Sequence, residues 1–144
     1  MSGREWLESV RTAALEIKKL ELIIMESQTV GNSSSANKSG GSQSVKDRTA
    51  SIAIASIEAQ AKLFDLLDTI FQGEKIAHGV SLALGWKTGE AVRLRYVEAL
   101  SWSEVAEGVE CSTRHAHRLV HTAINYIDTV GPQRALEGLG IAED

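Results

Sequence analysis

Cysteine and proline each occur once in the 144 residues, and aromatic side chains make up 5% of them. A single Cys111 rules out an internal disulfide. With proline and aromatics scarce and no alternating strand pattern, composition points to an all-α chain. No apolar run reaches the roughly 20 residues that a membrane span needs. The opening Met-Ser-Gly-Arg-Glu-Trp also lacks the apolar segment of a secretion signal. The expectation is a cytoplasmic protein with no membrane partner. Cationic excess is missing too: 15 Lys and Arg against 19 Asp and Glu leave a formal charge of −4. That balance excludes a protein that coats nucleic acid by bulk charge, because such binding scales with the phosphates neutralised. Any contact with a polyanion has to be local.

Catalytic signatures are absent as well. There is no Gly-x-x-x-x-Gly-Lys phosphate loop and no nucleophile elbow, and the carboxylates are scattered as solubilising charge. Neither an enzyme nor a cofactor is expected.

What remains is helical periodicity. Over residues 5–26, Trp6, Val10, Ala13, Ile17, Leu20 and Ile24 recur at alternating steps of four and three, with Leu7 and Ala14 widening the stripe. Residues 1–28 thus read as an amphipathic helix that needs a partner surface. Residues 29–44, rich in Ser, Gly and Asn, read as a flexible linker. A helical region follows over 45–86, with Ile52, Ala53, Ile57, Phe64, Leu67, Ile70 and Phe71 on its apolar face. The two helices can form a hairpin within the chain or a coiled-coil-like contact with a second copy, which makes a homodimer a candidate assembly. Gly73, Gly79, Gly85 and Gly89 punctuate the end of this region, leaving a short helix around Lys75 to Leu84 and a turn near Gly85 and Trp86, and Thr88 has the character of an N-cap.

Residues 87–130 carry the most specific pattern, followed by a tail over 131–144. Residues 90–100 read as one helix of about three turns. Ser101 with Glu104 has capping-box spacing and opens a short helix from Trp102 to Val109 with Val105 and Ala106 inward. After a tight connection through Cys111, read as a small buried residue, Ser112 can cap a longer helix. Its buried stripe is Ala116, Leu119, Ala123, Ile124 and Ile127. Two short helices joined this closely are the pattern of a helix-turn-helix. The run from Val92 through Ala106, followed by Cys111-Ser112-Thr113-Arg114-His115 and Ala123-Ile124, resembles the promoter-reading domain of bacterial sigma factors. It is closer still to small phage-encoded transcriptional regulators with that sigma-like domain. The resemblance covers the last third of the chain. It implies binding to double-stranded DNA, transcription regulation in a phage or prophage context, and RNA polymerase as a candidate partner.

The residues assigned to DNA are Ser112, Thr113, Arg114, His115, His117, Arg118 and His121. They crowd the start and polar faces of the last long helix, and no acidic residue occurs between Cys111 and Tyr126. Arginine can grip guanine O6 and N7 as a fork, and hydroxyls at a helix start can hold phosphate. Arg93 and Arg95 are either backbone contacts or solvated charges, Trp102 is read as a packing wedge, and Tyr96 as core. His117 and His121, four residues apart, lack a third metal ligand, so no metal is expected. Two rival readings remain: a small-terminase-like DNA-packaging subunit, and a module that binds protein only.

Overall fold

The computed structural model describes residues 2–33 and 42–140. Every regular element among them is helical: α1 (Gly3–Ser33), α2 (Ser42–Leu84), α3 (Trp86–Val92), a π-helical segment (Arg93–Val97), α4 (Trp102–Gly108), α5 (Thr113–Val130) and α6 (Pro132–Leu136). The all-α class expected from composition is the class the chain adopts. The middle of the expected linker, residues 34–41, lies outside the described residues. Its flanks, 29–33 and 42–44, are helical, as the ends of α1 and α2. No helix among the described residues is long and apolar enough to cross a membrane.

Contacts divide the chain into two units, Met1–Leu15 with Asp68–Asp144, and Glu16–Leu67. In the second unit α1 and α2 pair within the chain, with Lys62 Nζ donating to Glu16 at 3.1 Å and Leu20 and Ala59 buried. The face that α2 buries here is not the one expected. Ser56 and Ala59 are buried, while Ile54, Ile57, Phe64 and Leu67 stay exposed, Phe64 by 72%. Small side chains let the neighbouring helix approach closely, and one partner helix covers only one stripe of a helix that is apolar on two.

In the first unit Ser2 and Glu5 form a capping box at the start of α1. Ser2 Oγ accepts from the Glu5 amide at 3.2 Å, and the Ser2 amide donates to Glu5 Oε2 at 3.4 Å. Leu7, Val10, Ala13 and Ala14 of α1 are buried, whereas Trp6 at the expected seam is half-buried. The core is completed by Ile76 and Val80 of α2, Ala91, Val92 and Tyr96, Val105, Ala106 and Val109, and the inner stripe of α5. α5 packs against α3, α4 and α6, so it is the element the others are built around. The segment expected as a tail contributes α6, whose Ala135 is fully buried.

Three local expectations are corrected. Gly73 and Gly79 do not interrupt α2. Each sits inside the helix where a side chain has no room: a Cβ at Gly73 would lie 2.6 Å from Val10 Cγ1, and one at Gly79 would run into the Ala135 carbonyl. Thr88 does not cap α3 but is buried within it. The break falls at the turn expected near Gly85 and Trp86, at Gly85, whose φ of 105° favours glycine. Finally, residues 90–100 are not one α-helix. α3 passes into the π-helical segment, closed by the Glu98 amide donating to the Arg93 carbonyl at 3.0 Å, and the chain turns at Ala99 with φ 57°.

Helix propensity alone favours Gly79→Ala by about 1 kcal/mol. Packing against the α6 backbone reverses the sign, so the substitution is expected to destabilise the protein by about 1–3 kcal/mol. Urea unfolding followed by circular dichroism measures this, and a gain in stability would contradict the packing account.

Candidate nucleic-acid interface

α4 and α5 are placed by short-range chemistry that the sequence spells out. Ser101 caps α4 with the expected box: its Oγ accepts from the Glu104 amide at 3.3 Å, and its own amide donates to Glu104 Oε1 at 3.3 Å. Val105 and Ala106 are buried against the core, and α4 packs on α5. The chain leaves α4 through Glu110, at φ 55°, and the Cys111 amide donates back to the Ala106 carbonyl at 3.0 Å. Cys111 is half-buried rather than buried, its thiol donating to the Ser112 carbonyl. Ser112 then caps α5, its Oγ accepting from the His115 amide at 3.1 Å.

Along α5 the buried stripe is Ala116, Val120, Ala123, Ile124 and Ile127. Val120 takes the place expected for Leu119, which is only half-buried. With Val120 inward, the opposite face is fixed. Ser112, Thr113, Arg114, His115, His117, Arg118 and His121 are all exposed. Four of them, Arg114, His117, Arg118 and His121, fall at steps of three, one and three, so they share one stripe. That stripe forms one wall of an open cleft of about 370 Å³. Trp102 and Arg4 also line the cleft, together with Tyr96 and the apolar Val120 and Ile124, and no carboxylate contributes to the lining. Ser112, Thr113 and His115 lie outside it, at the exposed start of the helix.

Trp102 packs as expected, but what it packs is polar. The His117 imidazole stacks on the indole with ring centroids 3.7 Å apart and planes 25° from parallel. The Arg95 guanidinium lies 4.4 Å from the same ring centroid. The indole thereby fixes one cleft side chain and one supporting cation. Arg95 also donates to the Leu100 carbonyl at 2.9 Å. Its pKa is lowered first by burial and then by the nearby Arg11. Arg93 is committed elsewhere, held between Glu90 at 2.6 Å and Glu98 at 2.9 Å, and its pKa is raised chiefly by the hydrogen bonds it donates to Glu90. Neither arginine is simply solvated.

The arrangement suits an anion. The guanidinium groups of Arg114 and Arg118 make no hydrogen bond or ion pair among the described residues, the Arg118 carbonyl alone accepting from Thr122 Oγ1. A cationic wall over an apolar floor can hold phosphate oxygens at its rim and sugar or base surface within. Among the described residues no group of three or more His, Cys, Asp and Glu could hold a metal ion. The sequence reading did not find Arg4 in this cleft. The signal available was the Ser2-x-x-Glu5 spacing, which sets the start of α1 three residues earlier than its apolar stripe does. Compared with known proteins, the chain matches no family model, no curated protein and no solved structure.

Tyr96, on the cleft floor, is 1% exposed. Burial, the largest cause, and then Glu8 raise its pKa, against the opposing effects of Arg4, Arg95 and Arg11. In the unfolded chain the phenol ionises near pH 10. Above that pH the unfolded state loses a proton that the folded state keeps, so stability falls as pH rises. Tyr96→Phe is expected to reduce this alkaline loss, read from thermal melts between about pH 8 and 11. Identical pH profiles for the two proteins would contradict it.

Proposed function

We propose that the chain binds double-stranded DNA sequence-specifically and regulates transcription, with α4, the Glu110–Ser112 turn and α5 acting as a sigma-like helix-turn-helix. The observation that carries this reading is the stripe of Arg114, His117, Arg118 and His121 on the exposed face of α5, opposite its buried stripe. It concentrates cationic and hydrogen-bonding groups on one helix of a protein whose formal charge is −4. The resemblance of residues 92–124 to phage-encoded regulators supports the same reading and suggests a phage or prophage context and a cytoplasmic location.

On this reading Arg114, His115, His117 and Arg118 reach base edges in the major groove, and His121 extends their row. Ser112 and Thr113 sit at the helix start, where backbone N–H groups and hydroxyls position phosphate. The Ser112 Oγ already accepts from the His115 amide, which leaves its O–H free to donate to a phosphate oxygen. RNA polymerase is the protein partner suggested by the resemblance.

A second reading, a DNA-packaging subunit that assembles into a ring, draws on the exposed Ile54, Ile57, Phe64 and Leu67 of α2 and Leu22 and Met25 of α1. Exposed apolar side chains of this size are surface that association would cover. Mass measurement in solution separates the readings. A monomer or a homodimer through the N-terminal helices accords with the regulator, and a ring of many subunits with packaging. A module that binds protein only would show no salt-dependent affinity for duplex DNA.

Arg114→Ala is expected to lose about 1–3 kcal/mol at the preferred site and to relax one base position. A mobility-shift titration over single-base variants of a selected duplex reads both effects. Unchanged affinity and unchanged preference would contradict the assignment.

A further inference from the structure

Arg4 stands on α1, far from α5 in sequence, yet it lines the same cleft as Arg114, His117, Arg118 and His121. We propose that this cleft is a phosphodiester subsite in which Arg4 holds a backbone phosphate of the DNA, making the start of α1 part of the interface. The inference rests on the duplex-DNA reading above and adds to it a residue and a ligand chemistry.

Three observations carry it. The backbone at Arg4 is held in place by its neighbours. The Gly3 amide, one of the unpaired donors at the start of α1, donates to Asp128 Oδ1 on α5 at 2.8 Å. Ser2 and Glu5 close the capping box on either side. Gly3 itself is packed so closely that an added Cβ would lie 3.0 Å from Asp128 Oδ1 and 3.1 Å from Ile127 Cγ2. The first turn of α1 is therefore docked onto α5, and the stem of Arg4 starts from a fixed point.

The Arg4 guanidinium is also unneutralised, since it makes no hydrogen bond or ion pair among the described residues. The two acidic residues nearest to it on α1 do not change this. Glu5 is engaged with Ser2, and Glu8 acts on Tyr96 and Arg95 without an ion pair to an arginine among the described residues.

The surrounding field is positive. Three guanidiniums, those of Arg4, Arg95 and Arg11, act on Tyr96 against the single carboxylate of Glu8. The Nε atoms of Arg11 and Arg95 are buried without a partner. An anion entering the cleft meets this field as well as the cationic wall of α5. Because Arg4 does not belong to the reading helix, the part it plays there is that of a positioning contact. Such contacts fix register on the duplex and carry no base preference.

The test is an anisotropy titration of the full chain against a selected duplex and a scrambled duplex, from about 50 to 200 mM salt. Wild type is compared with Arg4→Gln and Arg4→Lys, with thermal melting as the control for folding. Arg4→Gln is expected to weaken both duplexes by the same factor and to lower the slope of log K against log salt by about one. Arg4→Lys is expected to keep the wild-type slope. An unchanged slope in Arg4→Gln overturns the proposal while leaving the duplex-DNA reading intact, and wild type that binds no duplex at any salt overturns both. A third arm uses inorganic phosphate alone. If phosphate stabilises wild type but not Arg4→Gln and the DNA slope does not change, the site takes a free phosphate and the proposal fails.

Discussion

Burial of one stripe of α5 is the constraint from which the rest of the first unit follows. Ala116, Val120, Ala123, Ile124 and Ile127 face a core built from Tyr96, Val105, Ala106 and Val109. A helix rotated by one residue, about 100°, would bring His117 and His121 toward that core at the cost of desolvating polar rings. Apolar packing thus holds Arg114, His117, Arg118 and His121 on the outside. The polar stripe is a consequence of the apolar one. On the proposed reading, the interface gains its rigidity from the core behind it rather than from contacts among its own side chains.

The supporting elements work by close approach. Gly79 admits the backbone of α6, Gly73 admits Val10 of α1, and Gly108 sits where a Cβ would lie 2.6 Å from Leu94 Cδ1. Each removes the side chain that would otherwise hold neighbouring elements apart. Trp102 then does the reverse, filling space at the edge of α4 with a ring large enough to engage His117 and Arg95 together. The cleft is the space left between these tight contacts and the docked start of α1.

How much of this was legible in the sequence depended on the range of the interactions. The Ser101–Glu104 box, the Ser112 cap and most of the α5 stripe could be read because each is settled within one or two helical turns. Val120 was missed because Leu119 fits the same three- and four-residue steps, and which of two adjacent apolar residues points inward is decided by the facing core. The buried side of α2 was hidden for a similar reason. Its large residues, Ile57 and Phe64, give the stronger periodic signal, while the small Ser56 and Ala59 take the close contact. Gly73 and Gly79 read as breaks because the contacts they serve come from distant parts of the chain. For Arg4 only the local half was legible, the Ser2–Glu5 box that starts α1, because its place in the cleft depends on a hydrogen bond between residues 3 and 128.

The central claim is that an acidic chain engages duplex DNA through one local face. Titrating ¹⁵N-labelled protein with a duplex selected from a random pool, and following the backbone amide signals residue by residue, tests it most directly. The account predicts that the largest shifts fall on residues 112–121 and at the start of α1, and that they weaken as salt is raised. Shifts confined to residues 16–67, or none at any duplex concentration, would contradict it.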